Sequence, residues 1–186
     1  MQRLSAAFVL AYHGCDETVA QQLIAGTPFE ESANTWDWLG GGIYFWEGDP
    51  VRGLEWAHEL KRRNKVQNPA VVGVALDLGL CLDLMTRKSV QVLGSAYAGL
   101  EKLALISGSA LPENSGPLRR DRDCAVVNYL YETMPDPKFQ TVRAAFPEGE
   151  ELYPGSGFVT KSHIQIAVRD HSCIKGVFRV PPDQLV

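Results

Sequence analysis

A chain of 186 residues with 45% apolar and 22% charged side chains has the make-up of a single globular domain, long enough to bury a core. Its 18 basic and 22 acidic residues leave a formal net charge of −4, which argues against a broad grip on nucleic-acid backbone, though not against a nucleic-acid substrate held locally. No window approaches the ~20 apolar residues needed to cross a bilayer, and Cys15, Cys81, Cys124 and Cys173 lack zinc-site spacing, so a cytoplasmic chain with reduced thiols and no metal is expected.

The apolar N-terminal segment, Met1 to Tyr12, is too short and lacks the cleavage region of a signal peptide, and reads as a first strand. Phe8 to His13 alternates in strand fashion and Gly14 ends it. Asp16 is placed to cap a helix whose Val19, Ala20, Leu23 and Ile24 form a stripe, stopped by Gly26. An irregular stretch with Trp36 and Trp38 closes on Gly40-Gly41-Gly42, and Ile43 to Trp46 is a short strand. Asp49-Pro50 opens a second helix, with Val51, Leu54, Ala57 and Leu60 expected inward and Lys61 to Lys65 at its end.

Val71 to Leu76 and Leu80 to Leu84 read as strands, and Val90 to Ala104 has helical spacing. A Gly/Ser/Pro-rich loop from Ser107 to Pro117 precedes a helix over Asp121 to Thr133. Arg119 to Asp123 is most simply a solvated helix entrance. Phe139 to Ala145 reads as a strand, Pro147 to Gly157 as a loop carrying Glu148, Glu150 and Glu151, and Ser162 to Arg169 and Ile174 to Val180 as closing strands. Strands at both ends with helices between them predict a single α+β domain over 1–186.

Two segments could carry chemistry. A strand-end histidine followed by glycine, Tyr12-His13-Gly14, offers an imidazole for a sugar hydroxyl and an uncrowded peptide for an amide, although such a histidine is more often structural. Gly40 to Trp46 places glycines before a strand on which Tyr44 and Trp46 share a face, either an aromatic platform for a flat ring or simply core.

Taken together, His13-Gly14, the helix ending at Gly26, Gly42-Ile43-Tyr44-Phe45 and the following helix with Trp56-Ala57 resemble the NAD-binding half of the diphtheria-toxin and poly-ADP-ribose polymerase branch of the ADP-ribosyltransferases. The resemblance covers about Phe8 to Ala57, is weaker over Ser162 to Val180 and is absent between them. It implies a split β-sheet sandwich with flanking helices, and NAD as co-substrate. His13 would bond the ribose next to nicotinamide, Gly14 would pair with the carboxamide, Tyr44 would stack on the ring and Trp56 would take its other face.

The family's late-strand glutamate aligns with Gln165, an amide with no negative charge to set against an oxocarbenium-like centre. Three readings follow: Gln165 suffices for positioning, Glu148, Glu150 or Glu151 enters the site from the loop, or the domain binds NAD or ADP-ribose without turnover. His163 shares the Gln165 face, as a site residue or a sheet-surface histidine. The expected activity is transfer of ADP-ribose to a protein or nucleic-acid acceptor, in a setting compatible with a toxin, effector or defence protein that is delivered into a target cell or held by an antitoxin or immunity partner.

Overall fold

A computed structural model describes residues 2–3, 8–116 and 119–186. Its strands are β1 (Gln2–Arg3), β2 (Phe8–Asp16), β3 (Ile43–Glu47), β4 (Pro69–Asp77), β5 (Leu80–Asp83), β6 (Asn114–Gly116), β7 (Arg119–Arg120), β8 (Thr141–Phe146), β9 (His163–Val168) and β10 (Ile174–Arg179). Its helices are α1 (Glu17–Ile24), α2 (Pro50–Arg62), α3 (Arg87–Ser107) and α4 (Asp121–Thr133). The fold is α+β, as the order of elements predicts. Part of the N-terminal segment and the end of the Ser107 to Pro117 loop lie outside the described residues.

Among the described residues, eight strands form one mixed sheet in the order β1-β5-β8-β9-β3-β2-β4-β10, in which only β5 and β8 run parallel. Inside the sheet, β2 and β3 pair only through Ala11↔Glu47 and Tyr12↔Trp46. By contrast β2 pairs with β4 along its full length. The sheet therefore consists of two well-laddered halves held by a short seam.

Strand alternation sorts the side chains onto two faces. On one, Ala11, Cys15, Ile43, Phe45, Val72, Val74 and Ile166 pack with Ala20 and Leu23 of α1. On the other, α2 lies over β2, β3 and β4 while α3 and α4 pack together. Leu82, Val142, Ala167 and the ring of Tyr44 join the core beneath α3 and α4, and Tyr12 and Val71 meet Leu54 of α2.

Both helix starts beside the seam follow the capping chemistry of their sequences. Asp16 accepts from Thr18 N at 3.0 Å and Asp49 from Arg52 N at 2.8 Å, with Pro50 in the first turn. The inward face of α2 differs from the expected one. Val51 is exposed, while Arg52, Gly53 and Ala57 are buried. Arg52 can face inward because Glu148 reaches it from the β8–β9 connection, so an ion pair outranks the apolar stripe.

That connection is also more regular than a loop. Lys161 N donates to Glu148 O, Thr160 N to Glu150 O and Leu152 N to Phe158 O, each within 2.8–2.9 Å, so the hairpin ladder continues outward past the strands.

Candidate functional site

The seam sets the first half of the site. Leu10 O accepts from Gly48 N at 2.9 Å, so the even-numbered peptides of β2 point toward β3. Gly14 is one of them, but β3 has already diverged. Among the described residues its N–H and C=O have no ladder partner on that side. Across the gap, Tyr44 O is bonded by His13 Nδ1 at 2.8 Å, and Gly42 exchanges backbone bonds with Ser32 at 2.9 Å. The imidazole thus substitutes for a missing ladder bond, leaving the Gly14 peptide as a buried edge without a ladder partner.

A carbonyl only accepts, so His13 Nδ1 carries the hydrogen and Nε2 keeps a lone pair. Burial holds the ring neutral by lowering its pKa below the ordinary 6.5, against a smaller opposing effect of the Tyr44 carbonyl. The ring sits edge-on to Phe29, centroids 5.4 Å apart, and is tilted against Phe45 at 5.7 Å.

Gly14 is required by packing whatever it binds. A Cβ there would stand 2.0 Å from Gly53 O of α2. The glycine lets the helix lie directly on the strand beside the gap.

Tyr44 is placed differently from the expectation drawn from the resemblance. Its ring and that of His13 project from opposite faces of the sheet. The Tyr44 hydroxyl donates to Gly40 O at 2.8 Å and accepts from Leu39 N at 3.0 Å. Burial pushes this phenol well above its ordinary value of 10, and nearby Asp37 adds to the shift. The ring is committed to core packing and to shaping the glycine turn, where Gly41 N and Arg169 are both held by Asn128 Oδ1 at 3.1 and 2.5 Å. The aromatic pair beside the seam is instead the buried Trp46 and the partly exposed Trp56, centroids 5.9 Å apart, with the Arg52 guanidinium 5.5 Å above Trp46.

The second half of the site lies on the same face, one strand further on. Gln165 is the register partner of Trp46 on β3 and of Ala144 on β8. It is 6% exposed, in a row otherwise apolar across β8, β3 and β2. His163, two residues earlier, is 7% exposed, which replaces the expectation of a sheet-surface histidine. Its Nε2 lies 3.1 Å from Gln165 Nε2 and its Nδ1 2.8 Å from Lys161 O. Glu148 places its carboxylate on Arg52 at 3.0 and 3.3 Å, with one oxygen 3.6 Å from His163 Nδ1.

Three buried polar atoms in this cluster have no hydrogen-bond partner: Trp46 Nε1, Arg52 Nε and Gln165 Oε1. Each costs about 1–3 kcal/mol if left unmet. Two donors and one acceptor within a few side chains suit a ligand group that offers oxygen lone pairs and one hydroxyl hydrogen.

Of the three loop glutamates, only Glu148 turns toward Gln165. Glu150 is exposed, and exposed Glu151 accepts from Gly155 N at 2.9 Å. A cavity of about 330 Å3 bounded by Phe146, Pro147, Ser162 and His163 adjoins the cluster. A larger cavity of about 430 Å3 under α3 is lined chiefly by apolar groups, among them Leu84, Leu93, Tyr97 and Val127.

Arg52 and His163 carry more of the site than their sequence context suggested. The signal for Arg52 was its spacing to Glu55 and Glu59, with which it pairs at 3.9 and 3.5 Å.

The thiols offer no nucleophile. All four cysteines are buried and free, and burial pushes Cys15 up to about 12 and Cys81 and Cys173 to about 11. Among the described residues no three His, Cys, Asp or Glu side chains converge as a metal site, and no helix is long and apolar enough to cross a membrane. No protein-family model, curated protein or solved structure matches the chain.

Proposed function

We propose that the protein binds NAD across the β2–β3 seam and transfers its ADP-ribosyl group to a protein or nucleic-acid acceptor, with the sheet parting there as in a split ADP-ribosyltransferase sandwich. The observation that carries this reading is the unpaired Gly14 peptide. A free N–H and C=O side by side on one edge are the complement of a carboxamide, the recognition handle of nicotinamide. The partly exposed Trp56 supplies flat apolar surface nearby, backed by the buried Trp46, and Gln165 supplies an acceptor for a ribose hydroxyl.

In the reaction the bond from the ribose carbon to nicotinamide breaks, and its electron pair leaves on the nicotinamide nitrogen. An acceptor oxygen or nitrogen provides the pair for the new bond to that carbon, and its proton passes to solvent. The chain's contribution is orientation and an amide dipole beside the developing positive charge.

A second reading, a binding module for NAD or ADP-ribose, is favoured by one fact. The carboxylate beside His163, that of Glu148, is engaged by Arg52. Incubation of the protein with NAD and fractionated protein, RNA and DNA separates the two. Nicotinamide released with one fraction supports the transferase, whereas NAD bound with none released supports the module. No NAD binding by calorimetry overturns both.

A further inference from the structure

We infer that His163 is a positioning residue that fixes which end of the Gln165 amide meets the bound sugar. The inference rests on the NAD reading above. It starts from Lys161, whose carbonyl oxygen lies 2.8 Å from His163 Nδ1. Because a carbonyl only accepts, Nδ1 carries the ring hydrogen, and in the neutral ring Nε2 keeps its lone pair. That lone pair faces the Gln165 side chain at 3.1 Å. Only the NH2 end of an amide can answer a lone pair. The oxygen is therefore turned away from the imidazole, and it is this oxygen that is buried without a partner.

The direction matters for two physical reasons. The neighbouring unmet groups, Trp46 Nε1–H and Arg52 Nε–H, are both donors. With the amide oxygen as its free end, the cluster can receive a hydroxyl hydrogen and give hydrogen bonds to sugar oxygens. With the NH2 as the free end, it would hold donors alone and no group to take that hydrogen. The second reason is charge. An oxocarbenium-like ribose is stabilised by the negative end of a fixed dipole and opposed by the positive end.

A glutamine standing alone in this row could present either end. His163 removes that freedom, and Arg52, by engaging Glu148, holds the neighbouring carboxylate beyond hydrogen-bond range of the ring, at 3.6 Å. The ligand chemistry assigned to the cluster is a ribose with a free hydroxyl next to the scissile bond.

Two measurements test this. In the 15N-labelled wild-type protein without ligand, NMR reads the imidazole tautomer. The expected result is a protonated Nδ1, a bare Nε2 and a hydrogen-bonded Gln165 NH2, and a bare Nδ1 would overturn the inference whether or not NAD binds. The second measurement compares NAD binding and nicotinamide release in His163→Leu and His163→Gln. Leucine removes the acceptor, while glutamine can restore one to the Gln165 NH2.

The expected outcome is a loss of release of about tenfold or more in His163→Leu, the order of one hydrogen bond lost from a transition state. The NAD Kd stays within about threefold, and His163→Gln recovers most of the loss. Equal losses in both variants, or a Kd that rises in step with the loss of release, would mark His163 as merely structural. If the leucine variant does not fold, the tautomer and the glutamine variant still decide. Wild-type protein that binds no NAD would defeat the functional reading while the tautomer measurement continues to test the lock.

Discussion

Replacing Gly14 with alanine tests the packing beneath the site. The added Cβ would lie 2.0 Å from Gly53 O and 3.1 Å from Ala57 N, both backbone atoms of α2. Ordinary contact begins near 3.4 Å, so the helix must withdraw by about 1.4 Å or the strand must bend away. Neither neighbour is a flexible side-chain end that could rotate aside. Such overpacking costs about 1–3 kcal/mol, and with backbone on both sides the upper end, about 3 kcal/mol, is expected. For a domain of this size that corresponds to a Tm lower by about 6–12 °C.

Urea denaturation followed by tryptophan fluorescence measures the loss. Gly53→Ala is the control from the other side of the same contact, since its Cβ would meet a Val71 methyl at 3.1 Å and Tyr12 Cβ at 3.4 Å. That crowding is mild, and alanine gains up to about 1 kcal/mol in helix propensity. The control is expected to fall within about 1 kcal/mol of wild type. A Gly14→Ala protein less than about 0.5 kcal/mol from wild type would refute the claim that α2 rests on the Gly14 backbone.

Other substitutions probe charge and hydrogen bonding. Gln165→Glu should increase nicotinamide release by about tenfold or more if the site is a transferase lacking only negative charge, as read by chromatography of the products; unchanged release would favour the binding module. Removing the Arg143 guanidinium in Arg143→Met leaves the partly buried carboxylates of Glu47 and Asp83, which it holds at 2.5 and 3.3 Å, without that partner, and should cost about 1–3 kcal/mol in urea denaturation. A loss below about 1 kcal/mol would show that those carboxylates relax into water.

His13 predicts a pH effect. Its folded pKa is depressed below 6.5, so below that pH the unfolded chain takes up a proton that the folded chain refuses. Stability should therefore fall as pH drops through 6.5, by at most about 1.4 kcal/mol per pH unit for one proton. In His13→Phe the slope between pH 6.5 and 5 should flatten, and an unaltered slope would point to another group.

Much of the frame could be read from local chemistry. Asp16 and Asp49-Pro50 start their helices as capping rules require, and the strand periods of β2, β4 and β9 appear in the chain. What could not be read was set by contacts between distant segments. Nothing beside Tyr44 in sequence says that its hydroxyl closes onto the Gly40 turn. Nor does the helical pattern of α2 reveal that Arg52 points inward, because its partner Glu148 lies 96 positions away. His163 and Gln165 share a strand face by simple alternation, yet their burial depends on the outer hairpin and α2, which no period encodes. Gln165 could be found as a candidate, but the polarity of its amide became visible only once the Lys161 carbonyl was seen against the His163 ring.

The central claim, that the Gly14 peptide receives the NAD carboxamide, is tested most directly by amide hydrogen exchange at Gly14 with and without saturating NAD. The account predicts strong added protection at Gly14, with the peptides of β2 already laddered to β4 changing little. Exchange at Gly14 unaffected by bound NAD would contradict it.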